Sequence, residues 1–131
     1  MKKAGFDLAT VEQNDTAIIE LVHPSTGDEI GATVEVYGQD SETYRAAARK
    51  AEAKYTEYAR RNRGKAMPPD QREALDKAKI VACTKAINNL SYKGQPVTDP
   101  EDAFTRFPWI YEQATSGIHE RALFIKGSSP K

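Results

Sequence analysis

Near residue 40 the spacing of apolar residues changes from two to about 3.6, and this restricts the chain to folds in which an N-terminal strand pair meets a helical body. Residues 29–37 (EIGATVEVY) alternate, with Ile30, Ala32, Val34 and Val36 on one side and Gly31, Thr33, Glu35 and Tyr37 on the other. Residues 16–22 (TAIIELV) are rich in Ile and Val and predict a strand. The HPSTGD stretch between them is turn chemistry, with Pro24 setting one dihedral and Gly27 allowing a positive one. A β-hairpin follows. Two strands alone are marginal in water. Their apolar face must therefore lie on helices, gain a third strand, or pair with another subunit.

Beyond Gly38, Asp40 or Ser41 caps a helix predicted over residues 42–62. Tyr44, Ala47, Ala48, Ala51, Tyr55, Tyr58 and Ala59 form one stripe on it, and the alanines would let another helix approach closely. The helix ends in Arg60, Arg61, Arg63 and Lys65, with Gly64 as its C-terminal cap. Cations there complement the helix dipole. The functional alternative is a patch for phosphate or an acidic partner. Pro68 and Pro69 make a stiff connector to a second helix predicted over residues 69–90, its apolar positions forming two lines that include Ile80, Cys83, Ile87 and Leu90. A short connector predicts that the two long helices pack antiparallel. Residues 94–97 are a turn or a short strand pair. A short helix then runs from about residue 99 to 106.

Residues 104–125 hold the single Trp and three of the four Phe. Phe107-Pro108 breaks the preceding helix and opens another. From Trp109 onward Ile110, Ala114, Ile118, Ala122 and Ile125 form a helical stripe, which predicts a C-terminal amphipathic helix. Trp109 and Phe107 either close a small core or grip a partner. The expectation is thus an α+β fold, a hairpin on a mainly helical single domain over residues 1–126, with residues 127–131 a disordered tail. Phe6 and Leu8 suit a short edge strand or an apolar clip.

The chain has 131 residues, and its 19 basic and 19 acidic residues cancel. A neutral chain is not built to coat nucleic acid, and it lacks the charge repulsion that opposes self-association. Its one cysteine, Cys83, forms no intrachain disulfide and reads as a small buried hydrophobe. No apolar run reaches membrane-span length, and Ala4-Gly5-Phe6-Asp7 breaks any signal-peptide core, so a cytoplasmic protein is expected. There is no phosphate-cradling glycine loop, no clustered metal ligands, and no nucleophile with a base at a recognisable spacing. The expectation is a protein that is not an enzyme and has no catalytic residue, metal or cofactor.

In order, the pieces resemble the tail assembly chaperones of long-tailed bacteriophages. The matching features are the hairpin with its Pro24-Ser25-Thr26-Gly27 turn, then Val36-Tyr37-Gly38-Gln39-Asp40-Ser41, then Tyr44-Arg45 opening a long helix. Gly94-Gln95-Pro96-Val97 follows the second helix. Phe107-Pro108-Trp109-Ile110 with Gln113 comes next, and Arg121-Ala122-Leu123-Phe124 closes the series. Where that family carries an aromatic just after the second helix, the nearest here is Tyr92. The resemblance implies a self-associating, non-enzymatic protein of the host cell cytoplasm. It would bind the tape measure protein, keep it soluble and help recruit tail tube subunits. The surface expected to do so comprises Tyr44, Tyr55 and Tyr58 with Phe104 and Trp109, since such aromatics give rigid area with a polar tip. The rival surface is Arg60, Arg61 and Arg63. Two other classes stay open: a structural virion protein such as a head–tail adaptor, and a small nucleic-acid-binding module using Arg60 to Lys65.

Overall fold

A computed structural model describes residues 5–126; the expected tail at 127–131 lies outside the described residues. The fold is α+β, as the change of period predicts. Strand β1 (Thr16–Val22) pairs antiparallel with β2 (Glu29–Tyr37). The register slips between Glu20 and Val22, where β2 bulges. Gly31 sits in the bulge at φ +79, a conformation glycine adopts without strain. The bulge also ends the alternation expected of β2. Ala32, Val34 and Val36 are buried, whereas Ile30, one step past the bulge, is exposed.

Ser41 caps helix α1 (Glu42–Arg61), its hydroxyl accepting from the Tyr44 N–H. Gly64, at φ +81, donates to the Ala59 carbonyl and closes the other end. Helix α2 (Pro69–Ala82) returns antiparallel along α1.

The second helix is shorter than expected. It stops at Ala82, and Thr84–Asn88 forms a strand, β3, paired antiparallel with β2. Two bonds mark the switch, one local and one long-range: the Thr84 hydroxyl donates back to the Ile80 carbonyl, and the Tyr37 N–H donates to the Cys83 carbonyl. Ile87 is buried opposite Val34. The hairpin therefore solves its marginal stability by taking a third strand, with order β1-β2-β3.

Ser91–Tyr92 (β4) and Gln95–Pro96 (β5) make a minimal strand pair, followed by α3 (Pro100–Arg106) and α4 (Pro108–Ile118). The sheet's inner face packs against α4 rather than along the length of the α1–α2 pair. Leu21, Val34, Val36, Phe104, Ile110 and Ile118 are the large side chains at the centre, joined there by Cys83. Each apolar side chain of that size contributes roughly 1.5 to 3 kcal/mol on full burial.

The last helix is also shorter than its stripe. It ends at Ile118, and Arg121–Phe124 is a 3-10 turn. The turn lets Arg121 fork onto Asp40, with Nε to Oδ2 at 2.7 Å and Nη2 to Oδ1 at 3.0 Å. It also buries Phe124 against Gly38. Ala122 is exposed and Ile125 half-buried, so the helical stripe does not continue to residue 125. Near the N-terminus Leu8–Val11 is a 3-10 turn, with Phe6 and Leu8 exposed, and Gln13 bridges antiparallel to Ile125. Among the described residues no helix is long and apolar enough to cross a membrane.

Candidate functional site

The α1–α2 pair carries the most distinctive surface. Ala51 is the one buried residue of α1, so most of that helix faces solvent. Between the two helices runs a shallow cleft of about 110 Å³. Its floor is Ala47, Ala51, Leu75, Ala78 and Ala82, and its rim is Lys50, Lys54 and Lys79. Among the described residues, Lys50 and Lys54 enter no ion pair. Ala78 and Ala82 also line a second hollow of about 300 Å³ on the other flank of α2, beside Val81, Glu101 and Thr105. Helix α2 is therefore a ridge of small apolar residues with a hollow on each side. Side chains this short let the axis of a further helix approach closely.

The aromatic residues expected to form one surface are dispersed. Tyr44 is half-buried at the base of α1, edge-on to His119 with ring centroids 5.7 Å apart and with the Lys79 ammonium over its ring. Tyr55 ties the two helices together, its hydroxyl donating to Asp76 Oδ1 at 3.0 Å. Burial and that carboxylate push the Tyr55 phenol above its usual range. Tyr58 is half-buried on the same stripe. Phe104 is not a surface residue: it is 1% exposed, stacked edge-on against Tyr111 in the core. Its position in α3, directly before the break at Phe107-Pro108, turns the ring inward. Trp109 is half-buried at the margin of that core. Of the five, Tyr44, Tyr55 and Tyr58 share α1, while Trp109 lies on α4.

The basic cluster is engaged locally. Arg60 and Arg61 both pair with Glu57, three and four residues back, about one turn earlier on the same helix. Arg63, at φ +57, belongs to the turn that closes α1. These contacts match the reading of the cluster as a helix C-terminus.

Three features escape the sequence reading. The lysine rim was signalled by Lys50 and Lys54, four apart and flanking Ala51, but its third member Lys79 comes from the other helix. Arg106 stacks its guanidinium over Tyr92 and Phe107, at 4.6 and 5.4 Å from the ring centroids. Tyr92 lies in a different segment from Arg106 and Phe107, which hides that cluster in the sequence. The third is a groove along β1, described below.

No family model, curated protein or solved structure matches the chain. Cys83, fully buried, has its thiol pushed up to about 11 by burial. His119 is held below its ordinary value, first by partial desolvation and then by the charge of Lys79.

Proposed function

We propose that this protein is a tail assembly chaperone of a long-tailed bacteriophage or prophage. It acts without catalysis in the host cell cytoplasm. It holds an apolar helical segment of the tape measure protein, keeps that protein soluble and helps recruit tail tube subunits. The reading rests on the resemblance of the sequence to that family, and the observation that supports a helix-holding role is the alanine-floored cleft between α1 and α2 with its lysine rim. A tape measure is a long helical chain whose apolar stripes would aggregate before the tube encloses them. A third helix laid in the cleft would cover such a stripe with small side chains, while acidic residues flanking the stripe would meet Lys50, Lys54 and Lys79.

This assignment moves the expected contact from the dispersed aromatics to the cleft, with Tyr44, Tyr55 and Tyr58 as its neighbours on α1. Self-association belongs to the same reading, although the third strand removes one reason for it. Light scattering at high protein concentration tests it, and a strict monomer counts against it.

Co-expression with the tape measure protein tests the main claim. The expected result is a soluble, co-purifying complex, weakened when Ala51→Arg or Ala78→Arg fills the cleft. An insoluble tape measure with no co-purification removes the chaperone reading. Retention of the complex in the cleft variants removes the cleft.

A further inference from the structure

The outer edge of the sheet is left open over a short window. Gly38 donates to the Asp15 carbonyl, and in an antiparallel ladder the backbone groups then alternate inward and outward along β1. The N–H and C=O groups of Ile18, Glu20 and Val22 consequently face away from β2. Val22 already has a partner there. Its N–H donates to Gln113 Oε1 at 2.9 Å, and Gln113 Nε2 donates to its carbonyl at 3.0 Å. One side-chain amide from α4 thus takes the place of a peptide unit in a neighbouring strand. At the other end the approach to β1 is occupied by the last turn, through Asn14 N–H to the Phe124 carbonyl and Lys126 N–H to the Glu12 carbonyl. Between these two closures lies a groove of about 440 Å³, walled by Ile18 and Glu20 on one side and by Glu112, Ser116, Glu120 and Leu123 on the other.

We infer that this groove binds a short, basic, extended peptide, which adds to β1 as a fourth strand. Ile18 and Glu20 each offer one donor and one acceptor, which suits strand addition. Charge selects the occupant. Glu20, Glu112 and Glu120 line the groove, no cation lines it, and none of the three enters an ion pair among the described residues. A second copy of this chain, paired β1 to β1 about Ile18, would bring two sets of these carboxylates together, and like charges across strands repel. A lysine or arginine at alternate positions of the incoming strand points inward over α4 and meets Glu112 and Glu120. The intervening residues point outward beside Ile18, which is 48% exposed and favours a β-branched neighbour. This site is separate from the helix cleft, and the two stand or fall independently.

A blocked peptide about seven residues long, alternating lysine and valine, is the probe. Titration followed by amide resonances is expected to shift Ile18 and Glu20 and to protect their N–H groups from exchange. Replacing the lysines by glutamates is expected to weaken binding at least about tenfold. The same loss is expected with the lysine peptide on Glu112→Lys/Glu120→Lys, both exposed positions whose exchange leaves the fold intact. Proline at the centre of the peptide is expected to abolish the shifts by removing a donor. Equal binding of the glutamate peptide, or undiminished binding of the proline peptide, overturns the proposal. So does protection of Ile18 and Glu20 that rises with protein concentration and needs no peptide.

Discussion

Gly117 of α4 lies against the side chain of Ile19 in β1 so closely that a Cβ built on it would overlap Ile19 Cδ1 and sit 2.6 Å from Cγ1. This contact sets the distance between the last helix and the sheet, and therefore the depth at which Ile110, Ala114 and Ile118 pack. It also places Gln113, one turn earlier, against the Val22 backbone.

Gly117→Ala is expected to destabilise the protein by about 1 to 3 kcal/mol, because overpacking forces α4 off the sheet. Helix propensity alone predicts the opposite, a gain of roughly 1 kcal/mol. Urea denaturation decides the sign. Adding Ile19→Val, which removes Cδ1, is expected to recover part of the loss.

Phe104→Ala is expected to cost about 3 to 5 kcal/mol, as full truncation of a buried aromatic does. Trp109, which the sequence reads as either a core residue or a partner anchor, is only half-buried. Its loss is expected to be about half that of Phe104. Thermal unfolding of the two variants compared side by side checks the ranking.

Stability is expected to fall on mild acidification through His119. Its folded value lies below the ordinary 6.5, so the unfolded chain takes up the proton first. The stabilisation is complete above the unfolded value and is lost as pH falls through 6.5 toward the folded value. His119→Gln is expected to flatten this part of the profile. Asp40, lowered chiefly by its hydrogen bond to Arg121, gives a separate loss that begins below its ordinary 3.8. Denaturation midpoints measured from about pH 8 to about pH 3 separate the two windows.

Cys83 is expected to resist alkylation at pH 8 at least about a hundredfold more than it does in denaturant, since burial removes both access and thiolate. Labelling that tracks global unfolding across a denaturant series confirms the expectation. Rapid labelling of the native protein contradicts it and identifies a local opening between α2 and β3.

Much of the architecture was legible because it follows from local periodicity. The Ile and Val of residues 16–22, the turn chemistry after them and the alternation over residues 29–37 give the hairpin, Ser41 and Gly64 bound the first helix, and Pro69, Pro100 and Pro108 open the next three. The α+β class and the antiparallel pairing of α1 and α2 follow from that punctuation. The alanine stripe that floors the cleft was also visible, as residues on a helix spaced for close approach.

The remainder depended on which partners the fold brought together. Ile87 sits seven residues after Ile80 and fits a helical line as well as a strand. The unpaired edge of β2 decided the matter, because the backbone groups of residues 33–37 gain ladder partners only when residues 84–88 extend. In the same way Ile118 and Ile125 share a helical spacing, yet the Arg121–Asp40 fork and the burial of Phe124 over Gly38 end the helix between them. Phe104 and Trp109 are near neighbours in sequence and look alike as anchors, but only the packing of α3 and α4 determines which ring is buried. Periodicity states which residues can share a face. Long-range pairing of backbone edges and close side-chain contacts state which of the compatible structures has its polar groups satisfied.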